Sequence, residues 1–301
     1  MSNLTVKELF GSMTALATPM STDGEINYEE WKDLVNGQIK VGINAIVVAG
    51  TTGESAMLTA DEIKQLTLIA VSCVKETKTK VIIGTGHVCA ERVIENNEIA
   101  NQAGADAVLV VTPYYIRTTQ MGLQKHYQTI ADQTELPIIL YNVPARTQND
   151  LLPQTAAKLA QHNKIIGIKE AVSENGRINQ LINKCPVDFA ILSGDDDSFC
   201  DSMLKGAHGV ISVASNVRPR MIVEICNFLA LGDVISAKKL NSSLDSLYKM
   251  LSCQPNPIPV KYLMNKVGLI GNGIRLPLIW MDKTIAGSES EIKQIIKEYK
   301  I

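Results

Sequence analysis

The sequence predicts an α/β chain folded as a closed (β/α)8 barrel over residues 1–231, followed by a small helical carboxyl-terminal domain over residues 232–301. Three observations carry that expectation. Eight short, β-rich apolar runs recur between longer amphipathic stretches, at roughly 20 to 35 residue intervals, the size of a βα unit. No G-x-G-x-x-G follows the first run, which counts against an open dinucleotide-binding sheet. Beyond Leu231 the strand-type runs stop while helical periodicity continues.

The predicted strands are Met13–Thr18, Ala45–Ala49, Val81–Gly84, Ala107–Val111, Ile138–Tyr141, Ile165–Lys169, Phe189–Ser193 and Val210–Val213. Runs this short and continuously apolar suit parallel strands buried on both faces. Predicted helices between them include Tyr28–Val41, Ala60–Lys75, Ala90–Ala103, Gln120–Thr134, Leu152–Gln161 and Gly176–Lys184. Thr59 followed by Asp61 and Glu62 reads as an N-cap with first-turn acids. Gly104 reads as a helix stop, and Pro137 opens a strand where no donor is needed. In the carboxyl-terminal part, helices are predicted at Val234–Met250, Val260–Val267 and Glu289–Lys300, with Pro255-Asn256-Pro257-Ile258-Pro259 as a rigid break. Glu289 and Glu291 near the start of the last helix, with Lys297 and Lys300 near its end, complement a helix dipole.

Composition excludes several classes. A hydrophobic content of 46% allows a sizeable core. A formal net charge of -2 and 5% aromatic residues leave no basic stripe or stacking platform for nucleic acid. The six cysteines form no C-x-x-C pair and the four histidines no H-x-x-x-H pair, so neither a metal nor another cofactor is expected. The cysteines read as apolar fillers in a reducing compartment. Met1–Lys7 lacks an apolar signal core, and no apolar run approaches a membrane span, so a cytoplasmic location is expected.

In a barrel, chemistry sits at the carboxyl ends of the strands. The sixth run ends in Gly167-Ile168-Lys169-Glu170-Ala171. An amine there loses hydration and can attack a carbonyl; the plainer alternative is a lysine snorkelling to solvent. The second ends in Gly50-Thr51-Thr52-Gly53-Glu54-Ser55, which reads equally as an anion-binding loop of backbone N–H and hydroxyl donors or as a capped turn before the next helix. The fourth ends in Thr112-Pro113-Tyr114-Tyr115, whose phenols suit an active-site mouth or an interface. The fifth ends in Tyr141-Asn142-Val143-Pro144-Ala145-Arg146-Thr147, where the guanidinium suits a carboxylate or a surface ion pair. The seventh ends in Gly194-Asp195-Asp196-Asp197-Ser198; with no histidine nearby, the acids read as a helix start rather than a metal site. The eighth, Gly209-Val210-Ile211-Ser212-Val213, is a plain strand. An amine, hydroxyls, phenols and one arginine together match Schiff-base carbon–carbon chemistry on a 2-oxo acid.

These strand-end motifs, with Pro255-Asn256-Pro257-Ile258-Pro259-Val260-Lys261, resemble the dihydrodipicolinate synthase family in order and spacing, from about Thr14 to Leu278. The resemblance implies a Schiff base between Lys169 and pyruvate, and attack of the resulting enamine on L-aspartate 4-semialdehyde, the committed step towards diaminopimelate and lysine. It implies that Thr51 and Thr52 hold the pyruvate carboxylate, that Thr51, Tyr141 and Tyr115 relay protons, and that Arg146 binds the semialdehyde carboxylate. Gly194, Asp195 and Ile211 would line the pocket. In that family the Tyr115 equivalent crosses a tight dimer interface, usually within a homotetramer. N-acetylneuraminate lyase and related sugar-acid aldolases share barrel and lysine, but the Arg146 motif favours the synthase branch. A non-catalytic binding barrel is a further alternative, against which the complete set of motif residues argues.

One departure bears on regulation. Lysine-inhibited members of the family carry an asparagine and a glutamate where this chain has Val88 and Arg92, and some carry histidines where it has Ala60 and Ile63. An arginine facing a cationic ligand repels it. Tyr114 and Ser55 of the same region are retained. Weak or absent inhibition by lysine is the expectation.

Overall fold

A computed structural model describes residues 4–172, 176–282 and 292–295. In chain order the elements are β1 (Gly11–Ala15), α1 (Tyr28–Lys40), β2 (Ala45–Val48), α2 (Ala60–Val74), β3 (Lys80–Gly84), α3 (Ala90–Gln102), β4 (Ala107–Val111), α4 (Gln120–Asp132), β5 (Ile138–Asn142), α5 (Pro144–Thr147), α6 (Pro153–Leu159), β6 (Ile165–Glu170), α7 (Arg177–Lys184), β7 (Ala190–Ser193), α8 (Phe199–Leu204), β8 (Gly209–Ser212), α9 (Pro219–Ala230), α10 (Val234–Ser242), α11 (Asp245–Ser252) and α12 (Ile258–Lys266). The eight parallel strands close in sequence order, with β8 paired back to β1. The predicted (β/α)8 barrel is therefore observed, with helices continuing beyond it.

Period-two alternation divides the core into two layers. On β4 and β5, Ala107, Leu109, Ile139 and Tyr141 point into the barrel. Their neighbours Val108, Val110, Ile138 and Leu140 face the helices. The outer layer continues without a break into Ala237, Leu247, Tyr262 and Leu263, so α10, α11 and α12 share an apolar core with the barrel.

Strand β6 departs from simple alternation at a decisive place. Ile138 pairs with Ile165, but Ile139 pairs with Gly167, so β6 carries one extra residue. Ile165 faces the helices; strict alternation from it would turn Lys169 outward too. The extra residue reverses the phase. Tyr141 then pairs with Lys169 and Asn142 with Glu170, which sends Lys169 into the barrel and Glu170 towards the helices.

Local signals account for most element ends. Thr59 and Glu62 form a reciprocal capping box at the start of α2, worth about 1 kcal/mol. Trp31 of α1 is fully buried and its Nε1 donates to Leu66 O at 3.0 Å, locking α1 to α2. The first strand forms at Gly11–Ala15 rather than from Met13, because Gly11 and Ser12 pair with Gly209 and Val210 of β8. The predicted helix Val234–Met250 is two helices. Ser243 Oγ donates to Leu240 O at 2.6 Å, competing with the helical ladder, and Leu244 turns inward to a buried position. The predicted helix Leu152–Gln161 is trimmed to α6, which starts at Pro153. Of the predicted helix Glu289–Lys300, residues 292–295 are helical and the rest, with Glu289, Glu291, Lys297 and Lys300, lies outside the described residues.

Candidate active site

Lys169, next to last in β6, is 5% exposed. Its Nζ lies 4.5 Å from the centroid of the Tyr141 ring, its register partner on β5. Gly194, immediately after β7, completes this wall. A Cβ on Gly194 would stand 2.9 Å from both Lys169 Cε and Ala171 Cβ, and 3.1 Å from Lys169 Cγ, so the lysine has room because that side chain is missing. Ile211 of β8 is fully buried in the same interior layer.

The loop after β2 is more than a turn before α2. Gly53 N and Ser55 N both donate to Gly50 O, and Thr18 Oγ1 donates to Gly53 O at 2.7 Å. Thr51 is partly exposed, whereas Thr52 is buried and its Oγ1 accepts from Asn256 Nδ2 at 3.0 Å. Glu54 adopts a left-handed backbone (φ 61°) and spends both oxygens on the carboxyl-terminal segment. Lys261 Nζ of α12 donates to Oε1, and Arg275 N donates to Oε2 at 3.1 Å. The side chains of Glu54 and Lys261 are both fully buried. Burial draws the Lys261 ammonium pKa below its ordinary value, with Glu54 opposing that shift.

Arg146 projects from the short helix α5 and is exposed; its Nη2 donates to Asn256 O at 3.4 Å. Asn256 thus touches both Thr52 and Arg146. Neither Asn256 nor the Glu54–Lys261 pair was singled out from the sequence. The available signal was a Glu and a Lys standing inside otherwise apolar or turn-forming motifs.

The three acids after β7 divide their work. Asp195 Oδ2 accepts from Ser198 N and Ser198 Oγ at 3.1 and 2.7 Å, which shapes the entry to α8 as the sequence suggests. Asp196 does not join it. Its buried carboxylate crosses to the end of β8 and accepts from Val213 N and Ala214 N at 3.0 and 2.8 Å. Burial pushes its pKa up. Among the described residues no group of three or more His, Cys, Asp or Glu side chains gathers as a metal site would require.

Tyr115 stands apart. It is 97% exposed with φ 71°, so within one chain its ring packs with none of the others. Tyr114 beside it is half-buried, edge-on to His87 with centroids 6.3 Å apart. The structure therefore brings Lys169, Tyr141 and Gly194 together, ties Thr52 to Arg146 through Asn256, and leaves Tyr115 on the surface.

Fold and site together define a (β/α)8 barrel that buries a lysine amine at the carboxyl end of its sixth strand, the end where this class of enzyme places its chemistry. The profile of the Dihydrodipicolinate synthetase family matches residues 8–298, and the chain belongs to that family. It is 42% identical over 288 residues to the 4-hydroxy-tetrahydrodipicolinate synthase of Methylococcus capsulatus, covering 96% of this chain and 98% of that one. Among solved structures, the chloride-inhibited dihydrodipicolinate synthase of Acinetobacter baumannii, complexed with pyruvate, superposes with a TM-score of 0.92. It is 40% identical and covers 96% of this chain and 98% of its own. A dihydrodipicolinate synthase variant described as the first monomeric one superposes with a TM-score of 0.93 at 37% identity, covering 98% of each chain. No helix among the described residues is long and apolar enough to cross a membrane.

Proposed function

We propose that this chain is a Schiff-base lyase that condenses pyruvate with L-aspartate 4-semialdehyde to 4-hydroxy-tetrahydrodipicolinate. The observation that carries the reading is Lys169, a buried amine turned into the barrel by the extra residue in β6 and set against the Tyr141 ring. Lys169 Nζ attacks C2 of pyruvate, and the carbonyl oxygen leaves as water. The resulting iminium accepts electrons, so a C3 proton can leave to give an enamine. The enamine carbon attacks the aldehyde, forming the new carbon–carbon bond, and the aldehyde oxygen takes up a proton. The amino group of the semialdehyde then adds to the iminium carbon and displaces Lys169, closing the ring with one water released in total.

Side-chain roles follow from position. Thr52 Oγ1 accepts from Asn256, which leaves its own proton to donate to the pyruvate carboxylate. Thr51 and Tyr141 move protons at the imine. Arg146 is exposed and lightly tethered, which suits a guanidinium waiting for the carboxylate of the second substrate. Asp195 and Ile211 shape the pocket, and Gly194 leaves space beside the lysine. Tyr115 completes the relay from a second copy of the chain. A bare tyrosine in left-handed backbone, followed in the chain by the exposed Ile116, supports such a dimer, which the family resemblance extends to a homotetramer.

Steady-state turnover of pyruvate plus aspartate semialdehyde, set against cleavage of N-acetylneuraminate, tests the reading. Condensation with no sialic-acid cleavage supports it; preferential cleavage of the sugar acid overturns it.

A further inference from the structure

The residues that follow Tyr141 and Lys169 form a second, buried constellation on the helix-facing side of the barrel. Asn142 and Glu170 are register partners, one step beyond the Tyr141–Lys169 pair. Both are 2% exposed or less. Asn142 Nδ2 donates to Glu170 Oε1 and Oε2 at 3.0 and 3.1 Å, and to Asp150 Oδ1 at 2.9 Å. Asn142 Oδ1 accepts from Leu151 N at 2.9 Å, and Glu170 Oε1 accepts from Val172 N at 2.9 Å. Arg177 Nη2 of α7 donates to Asp150 Oδ2 at 2.7 Å. The two backbones are tied at the same level: Ala171 N donates to Asn142 O at 3.0 Å, and Gly194 N donates to Glu170 O at 2.7 Å.

This network closes the loop that carries Arg146, because Asn142 at its start holds Asp150 and Leu151 at its end. It also fixes the strand ends bearing Tyr141, Lys169 and Gly194. Burying a carboxylate costs several kcal/mol in general, and no salt bridge is formed to Glu170 by the side chains shown to pair among the described residues, so a glutamate here is a poor choice for stability alone. A carboxylate does offer what an amide cannot: two oxygens that both accept, one from Asn142 and one shared between Asn142 and Val172 N.

We propose that Glu170 is a positioning residue for the lysine nucleophile, its ionised carboxylate clamping Asn142 so that Lys169, Tyr141 and the Arg146 loop hold their working geometry. The inference rests on the reading of Lys169 as the Schiff-base amine. The charged groups acting on Glu170 among the described residues are Asp150, from the loop after β5, and Arg177, from α7. Burial first, and Asp150 with it, raise the Glu170 pKa to about 7, against the hydrogen bonds from Asn142 and Val172 and the charge of Arg177. Protonation would put a hydrogen on an oxygen that now accepts, so the clamp loosens as pH falls through neutrality.

The experiment compares wild type with Glu170→Gln, a near-isosteric mimic of the protonated acid, across about pH 6 to 9. Borohydride trapping of pyruvate on wild-type Lys169 comes first, so that failure of the parent reading, on which this proposal rests, is told apart from failure of the Glu170 role itself. With trapping established, E170Q is expected to lose on the order of tenfold in kcat/KM at about pH 8 and to lose the wild-type limb near neutrality. Its melting temperature at that pH should be no lower than wild type. Asn142→Ala is expected to produce a loss of the same size, and the double variant no more than the larger single loss. An unchanged limb in E170Q, additive losses, or an activity loss that simply tracks a fall in melting temperature would overturn the proposal.

Discussion

Lys169 and Tyr141 meet as register partners on adjacent strands, Nζ to ring centroid 4.5 Å, because β6 carries one residue more than β5. Both side chains thereby share the barrel interior at its carboxyl end, which is where this fold performs chemistry. The amine sits over the face of the phenol ring, a cation–π placement that holds the lysine head at the mouth of the barrel.

Gly194 is the third member of that wall, and its substitution gives a sharp prediction. In Gly194→Ala the new Cβ would meet Lys169 Cε and Ala171 Cβ, both at 2.9 Å; the flexible lysine would swing away, while Ala171 would yield by a small shift of its own backbone. The fold should survive, while the rate of pyruvate imine formation falls by roughly tenfold to a hundredfold. Borohydride trapping under single-turnover conditions measures it; an unchanged rate would show that Lys169 does not need that space.

Arg146→Ala should separate the two substrates. The guanidinium is exposed and makes one long contact with Asn256 O, so little stability is at stake. Loss of a charge-assisted bond to a carboxylate costs about 1.5 to 3 kcal/mol, or roughly ten- to a hundredfold in kcat/KM for aspartate semialdehyde. Imine formation with pyruvate should change far less. Equal losses for both substrates would place Arg146 elsewhere in the mechanism.

The pair Lys261–Glu54 ties the carboxyl-terminal helices to the loop holding Thr51 and Thr52. Lys261→Met leaves Glu54 buried without its cation and should cost about 3 to 5 kcal/mol. The combined Lys261→Met, Glu54→Leu chain should recover part of that stability, as thermal melting would show, while activity stays low because Glu54 also accepts from Arg275 N. If activity returned along with stability, the loop would not depend on this anchor.

Two glutamates should give stability profiles of opposite sign. Hydrogen bonds from Arg275 hold Glu62 down at about 2 against a usual 4.5, with Arg275 Nη1 and Nη2 at 2.8 and 2.5 Å. Its contribution is full above pH 4.5 and is lost as pH falls towards 2, so Glu62→Gln should blunt acid unfolding. Burial raises Glu170 from 4.5 to about 7, so the folded state keeps a proton that the unfolded chain releases. Its contribution is full below pH 4.5 and is lost as pH rises through about 7. Melting temperatures of E170Q relative to wild type should therefore improve from about pH 5 to about pH 8; a constant difference would contradict the raised value.

Lysine inhibition follows from one surface. Arg92 is exposed in the first turn of α3 and paired with Glu95 at 2.6 Å. Its charge opposes a cationic ligand, and Val88 offers no side-chain hydrogen bond. The condensation should proceed unimpaired at millimolar lysine. Half-inhibition at submillimolar lysine would contradict this.

The eight strands were legible because parallel strands buried on both faces spell continuous apolar runs, and Lys169 stood out at the end of one of them. Boundaries shifted where pairing, rather than propensity, decides: Gly11 joins β1 only because β8 lies beside it. The extra residue in β6 left no mark in composition, yet it decides which way Lys169 points. Asn256 and Lys261 were hidden for a different reason. Their partners Thr52 and Glu54 lie some two hundred residues away in the chain, and no local period reports such a contact. Asp196 misled because three consecutive acids look alike until one of them turns to β8.

The most direct measurement is reduction of the enzyme with borohydride in the presence of pyruvate, followed by mass mapping of the peptides. A single reduced pyruvate adduct on Lys169, absent without pyruvate, is the predicted result. An adduct on any other lysine, or full turnover in a chain with Lys169 replaced by alanine, would contradict it.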